Sequence, residues 1–422
     1  MLVIVLKRYK NRSEYTRNIV TLVTGTALAQ AIPIAITPIL TRVYTPADFG
    51  VYALFISIVS MVSVFVTGRY ELAILLPKND KDALNLLKLS CLISTIVSCF
   101  CFVVVVLFNE DIASLFGNSD ISMWLYFAPF TIFLSGIYQS VTLWLNRKKE
   151  YKCLAINRIS QSAAAASSNL AFGFLKMGSM GLILGQVIGQ MIATYSALLA
   201  LWRKERGLLR KTNLLALYAL LKRYRKFPKV DVPSALLNVS SHQVIHVLFN
   251  SLFNATIAGY FYLAQRILAI PVSVLSSAVS SVFQEQASKD YKMYPGGAKK
   301  IYIRTFNQLF VMSFLPALIG FFYAEEVFVF VFGGEWRHAG IYAEILTPML
   351  FLQFISSPLS FMFYIGERQE LNLYNQGLLL TWVFFSFLFS SDPEQVIQLL
   401  SLSFSVFYLI QLTLSSKIAG LF

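Results

Sequence analysis

Asp48-Phe49-Gly50-Val51-Tyr52-Ala53-Leu54 returns 209 residues later as Ile257-Ala258-Gly259-Tyr260-Phe261-Tyr262-Leu263. The interval from Gly50 to Gly259 is close to half of the 422 residues, so the chain reads as one unit written twice. Each copy stands at the start of the second long apolar stretch of its half. Both therefore reach the same membrane side, and the halves repeat in parallel topology, as transporter lobes do around a central cavity.

Working outward from these copies, stretches long enough to cross a ~30 Å hydrocarbon layer as helices fall at 19 to 40, 51 to 68, 89 to 108, 121 to 145, 159 to 175 and 177 to 202. The second half repeats the series at 232 to 256, 257 to 284, 305 to 324, 341 to 365, 371 to 391 and 395 to 416. The expectation is an all-α integral membrane protein of twelve transmembrane helices in two six-helix lobes. The lobes are 1–202 and 230–422, and a basic cytoplasmic linker covers 203–229. Asn213 to Phe227 in that linker reads either as an interfacial helix, with leucines in the acyl boundary and bases on anionic lipid, or as a solvated linker with a few buried leucines.

Composition agrees. Hydrophobic residues make up 57% and charged ones 13%, about half of the ~25% charged content usual in soluble domains. Mean hydropathy is +0.64. A net charge of +14 would suit nucleic acid only if the bases formed a stripe; here they cluster between apolar runs. With the N-terminus placed inside, only Arg42, Lys176 and Arg337 fall in outside loops and only Arg266 inside a span. Every other base is cytoplasmic, so both termini are predicted to be cytoplasmic. No cleavable signal peptide is expected, because apolar Met1 to Leu6 precedes the first bases.

Polar side chains within spans mark helix interfaces or a wet cavity. Thr26, Gln30, Pro33, Thr37 and Thr41 share one face of the first span, and Asn238, His242, His246, Asn250 and Asn254 recur every four residues in the seventh. An interval of four drifts by ~40° per step, so that second stripe winds around its helix. Arg266 lies ~12 Å into the eighth span, beside Gln265 and on the face of Ser273, Ser277, Ser280 and Gln284, with Pro271 placed to bend the helix. Gly181, Gly185 and Gly189 form a close-packing seam in the sixth span.

An interior holding an arginine, two histidines and neutral hydrogen bonders, with no acid near the midplane, suits an anion such as pyrophosphate. His242 and His246 have the i, i+4 spacing of some zinc sites but lack a third ligand, so no metal is expected. They are instead candidates for a polar lining or a proton-responsive pair. Cys91, Cys99, Cys101 and Cys153 read as free thiols. Neither a phosphate-binding loop, a dinucleotide fingerprint nor a nucleophile elbow is present, so neither catalysis nor a cofactor is expected.

Three segments carry a family resemblance: Leu22 to Pro33, Pro38 to Tyr52 with Arg42, Pro46, Asp48 and Gly50, and Arg69-Tyr70-Glu71-Leu-Ala-Ile-Leu-Leu-Pro77. They resemble the opening of bacterial polysaccharide-biosynthesis membrane proteins, the O-antigen flippases of the multidrug/oligosaccharidyl-lipid/polysaccharide exporter superfamily. Ala258-Gly259 to Gln265-Arg266 and Pro271 resemble the second-half signature of that family. The resemblance is strong over 20–90 and 228–290, whereas the final spans diverge.

What it implies is a flippase moving an undecaprenyl-pyrophosphate-linked oligosaccharide across the bacterial inner membrane by alternating access, for O-antigen, capsule or exopolysaccharide synthesis. Membrane lipids are then partners, and a glycan polymerase and a chain-length regulator are candidate partners; nucleic acid is not. On this reading Arg266, Gln30, Arg42, Asn238, His242, His246, Asn250 and Gln265 are candidates for contacting substrate. Pro33, Gly50, Arg69, Glu71, Gly259 and Pro271 are candidates for structure or gating. The alternatives are a drug or metabolite antiporter of the same superfamily and a membrane glycan polymerase or ligase.

Overall fold

A computed structural model describes residues 14–117, 121–209, 214–294 and 296–421. Among them every regular element is helical. In chain order the helices are α1 (Glu14–Leu40), α2 (Pro46–Ser63), α3 (Asp80–Leu115), α4 (Ile121–Leu125), α5 (Ala128–Arg147), α6 (Tyr151–Phe174), α7 (Ser179–Leu209) and α8 (Leu214–Arg223). There follow α9 (Val232–Leu252), α10 (Ala255–Met293), α11 (Lys299–Phe332), α12 (Arg337–Leu359), α13 (Met362–Ile365), α14 (Gln369–Leu388) and α15 (Pro393–Ile418). Each of the twelve apolar stretches coincides with one of these helices or with a short helix and its successor. Seven helical segments among the described residues are, by length and composition alone, able to cross a membrane.

Lipid explains which faces stay uncovered. The apolar windows of Asp80–Leu115 and Lys299–Phe332 are only 17% and 11% buried, and Phe100, Leu107, Val311 and Phe330 point outward. In water such faces would drive aggregation; in hydrocarbon they cost nothing, while the helix satisfies its own backbone. The chain is a multi-pass membrane protein.

Contacts divide it into two compact units. Unit 1 is Met1–Tyr44 with Leu54–Val239. Its α6 packs on α1 and α7, and its α5 on α3 and α7. The glycine row of α7 is the seam there: a Cβ on Gly185 would lie 1.8 Å from Asn169 Oδ1, and one on Gly189 2.8 Å from Ala165 Cβ. The linker belongs wholly to this unit. Leu217 and Leu220 of α8 are buried in a core with Tyr70, Ile74, Leu84, Leu87, Trp144 and Leu201, whereas Tyr218 and Leu221 face outward. Residues 210–213, including Asn213, lie outside the described ones.

Unit 2 is Ser240–Phe422 together with Thr45–Ala53. Helix α12 is its hub, in contact with α10, α11 and α15, over a core of Phe283, Tyr302, Leu309, Phe354, Leu359 and Met362. Thr45–Ala53, from the first half of the sequence, joins this unit because the two copies of the repeat pack on each other. A Cβ on Gly50 would lie 1.8 Å from the Ala255 carbonyl oxygen, and one on Gly259 the same 1.8 Å from that of Pro46. Pro46 and Ala255 are themselves equivalent positions of the repeat, so the crossing is a local pseudo-twofold with backbone against backbone. Only glycine permits so close an approach.

Candidate functional site

Around that crossing, unit 2 gathers most of the polar residues singled out in the sequence. Helix α9 supplies His246 and Asn250, one turn apart and both buried. Asn250 Nδ2 donates to the Gly50 carbonyl at 3.2 Å and to the His246 carbonyl at 3.1 Å. It thereby ties α9 to the repeat segment, while its Oδ1 and the His246 Nδ1 are buried without a partner among the described residues. The His246 ring lies between Phe261 and Tyr262, with centroids at 5.4 and 5.7 Å, and its side chain hydrogen-bonds Gln265. His242, half-buried, stacks loosely on Phe404 at 5.6 Å.

Arg266 sits one turn after Tyr262 on α10. Its Nη1 donates to the Tyr262 hydroxyl at 3.5 Å, and the guanidinium carbon is 5.9 Å from that ring's centroid, a cation–π distance. Tyr262 is hydrogen-bonded to Tyr52, whose ring meets it edge-on at 5.8 Å. Tyr52 belongs to the first repeat copy and Tyr262 to the second, one position out of register with each other. Among the described residues no carboxylate lies within 4.0 Å of Arg266, which takes part in none of the ion pairs. This cluster presents a partly buried, unneutralised cation beside phenols, an imidazole and amides.

The other candidates stand elsewhere. Asn238 is exposed on the part of α9 that belongs to unit 1. The winding stripe thus turns from exposed Asn238 through half-buried His242 to buried Asn250. It ends there, because Asn254 leaves the helix and caps α10 by accepting from the Ile257 amide at 2.9 Å. Arg42 is exposed in the turn after α1. Gln30 is half-buried on α1, and the Pro33 carbonyl accepts from Thr37 Oγ1 at 2.6 Å. Pro271 falls within α10, but its side chain and those of Ser273 and Ser277 lie outside the described ones.

Arg69 and Glu71 form a separate site in unit 1. Gly68 and Arg69 both take left-handed backbone angles, φ +60° and +61°, and this reverses the chain after α2. Glu71 is thereby buried, accepting a hydrogen bond from Thr67 Oγ1. Arg69 reaches Glu71 Oε1 at 3.8 Å and Asp231 Oδ2 at 3.5 Å, linking this turn to the π-helical start of α9 at Phe227–Asp231. Burial holds the Glu71 carboxyl above its ordinary value, opposed by the Thr67 hydrogen bond and the Arg69 charge.

One base escaped the sequence reading. Arg158 stands seven residues into α6, ~10 Å from its start, and its Nη1 donates to Thr26 on the polar face of α1 at 2.5 Å. Gln161 to Gln190 at 2.7 Å and Ser196 to Asn157 at 2.8 Å continue that polar seam.

A family profile described as polysaccharide biosynthesis protein matches residues 39–340. The chain belongs to that family. No curated protein matches its sequence. Among solved structures, the lipid II flippase MurJ in an inward closed conformation is similar at 14% identity and a TM-score of 0.67, over 95% of this chain and 89% of that one. An inward-facing multidrug resistance MATE family transporter of the MOP superfamily is similar at 13% identity and 0.64, over 94% of each. A MOP superfamily transporter from Pyrococcus furiosus gives 12% and 0.63 over 96% of each. The family member described here therefore has the all-α membrane fold of that superfamily, as the resemblance of its repeat segments implies. The structural similarity covers 94–96% of this chain, a wider extent than the 39–340 that the family profile matches.

Proposed function

We propose that this polysaccharide biosynthesis protein is a flippase for an undecaprenyl-pyrophosphate-linked oligosaccharide, carried from the cytoplasmic to the outer leaflet of a bacterial inner membrane. The observation that carries the reading is the Arg266 cluster. A guanidinium in a membrane helix is expensive unless its charge meets a partner, and here no acid supplies one. A pyrophosphate would, since guanidinium binds phosphate oxygens in pairs, and the Tyr52 and Tyr262 hydroxyls, Gln265 and His246 add neutral hydrogen-bonding groups suited to the adjoining sugar. A cationic drug would call for an acid at this place, where the neighbours are phenols, an imidazole and amides.

The Arg266→Ala variant is expected to abolish surface glycan in cells that depend on this chain for it, with the protein present in the membrane at unchanged abundance. Arg266→Lys should restore part of the output, because charge survives while paired donation does not. Normal glycan from Arg266→Ala overturns the reading.

A further inference from the structure

Away from the Arg266 cluster, unit 2 has an open apolar groove of about 360 Å³. Ile303, Phe306 and Phe310 of α11, Phe351 of α12, and Leu409 and Thr413 of α15 line it. Its walls run along 302–310 of α11 and 409–416 of α15, a length of ~10–12 Å. Its lining is almost wholly carbon, although Tyr302 at its base is anchored by bonds to the Leu412 carbonyl at 3.0 Å and to Ser415 Oγ at 2.8 Å. The floor is therefore fixed, and the apolar side chains at its opening, Ile303, Phe310 and Leu409, are exposed.

Charge marks one end of this groove. Helix α11 starts at Lys299 and α15 ends just after Lys417, and the helices flank the groove with opposite chain direction, so both lysines stand at the same end. Lys299 is one turn from Tyr302 and Ile303, and Lys417 one turn from Thr413, on the groove faces of their helices. Both are exposed, and among the described residues neither has a carboxylate within 4.0 Å. Lys300 and Arg304, also exposed, add to the positive charge there.

We propose that this groove is a binding site for an anionic phospholipid, with one acyl chain along Phe306 and Phe310 and the phosphate between Lys299 and Lys417. Apolar surface holds the chain in any lipid; the paired bases select a negatively charged head group. The inference does not depend on the Arg266 reading, since it concerns a different face and a resident lipid instead of a transported one.

Native mass spectrometry of the purified full chain tests it, with phosphatidylglycerol and phosphatidylethanolamine added separately. One phosphatidylglycerol is expected to be retained in preference to phosphatidylethanolamine by about tenfold or more, given two bases near the head group. Lys299→Gln with Lys417→Gln should remove that preference, and Ile303→Trp, which fills the groove, should reduce retention of both lipids. Removing two bases in unit 1 instead, Lys222→Gln with Lys226→Gln, should change nothing. Equal retention of the two lipids by the wild type, an unchanged preference in the lysine variant, or an equal loss in the unit 1 variant overturns the site. Displacement of phosphatidylglycerol by equimolar undecaprenyl phosphate also overturns it, by making the groove a seat for the polyprenyl chain. Monodisperse elution of each variant separates loss of lipid from loss of fold.

Discussion

Arg158 in unit 1 and Arg266 in unit 2 are both partly buried guanidiniums in membrane helices, and both bond to a hydroxyl. They differ in what is left over. Arg158 meets Thr26 at 2.5 Å within a seam of paired amides and hydroxyls on α1, α6 and α7. Among the described residues the hydrogen bond given for Arg266 is a long one, 3.5 Å, to a tyrosine whose hydroxyl is shared with Tyr52. On the proposed function, the first base fastens helices together and the second keeps donors for a ligand. On that reading the state of its hydrogen bonds, and not its depth along the helix, separates a structural base from a functional one.

Substituting both bases breaks or sharpens this contrast, and here the largest effect is expected. Arg266→Ala should remove transport at unchanged thermal stability. Arg158→Ala should keep transport within a few fold while lowering stability by ~1–3 kcal/mol, as for a charged hydrogen bond lost from Thr26. Thermal unfolding in detergent and surface glycan, measured on the same two variants, give the answer. If Arg158→Ala abolishes glycan without loss of stability, the bases are equivalent and the distinction fails.

Next in size come the repeat glycines, which compare the two halves of the sequence within one crossing. Gly50→Ala and Gly259→Ala each place a Cβ 1.8 Å from a carbonyl oxygen in the same pseudo-twofold arrangement. Overpacking on backbone costs ~1–3 kcal/mol or more. Both substitutions should therefore lower the unfolding temperature by similar amounts, far more than Gly377→Ala, where a Cβ meets nothing within 4 Å. A clear inequality between Gly50 and Gly259 would show that the crossing is not symmetric in energy.

The same contrasts show how far the sequence could be read. Helix positions were legible because lipid demands ~20 apolar residues, and the repeat was legible because Gly50 and Gly259 serve one contact. Arg158 was not, since it ends a basic run from Arg147 that reads as a cytoplasmic loop, while α6 starts at Tyr151. The linker left two destinations open for its leucines, and Leu217 and Leu220 take the second, buried in the core of unit 1 instead of the acyl boundary. Asn238, read from the stripe on α9, and Arg42, read from the family resemblance, stand at exposed positions apart from the Arg266 cluster, because periodicity gives relative faces and not which face is covered.

The smallest expected effect belongs to Glu71, a buried ionisable group of unit 1 that has charged neighbours in Arg69 and Asp231, whereas His246 of unit 2 lies between the rings of Phe261 and Tyr262. For Glu71, burial raises the carboxyl above 4.5, against the Thr67 bond and the Arg69 charge and with Asp231 adding to the rise. The folded state then holds the proton more tightly than the unfolded one. Its stabilising contribution is complete below the unfolded value and is lost as pH rises through the folded value. Glu71→Gln keeps an acceptor for Thr67 and has no proton to lose. The stability of the wild type should thus fall relative to Glu71→Gln as pH rises from about 4.5 upward, and the two profiles should run parallel once Glu71 is ionised. Unfolding temperatures of both proteins across that range make the measurement. A difference that grows instead as pH falls would mean that Arg69 and Thr67 outweigh burial and hold the carboxylate ionised, making Glu71 the anion of an ion pair with Arg69 in place of a neutral buried acid.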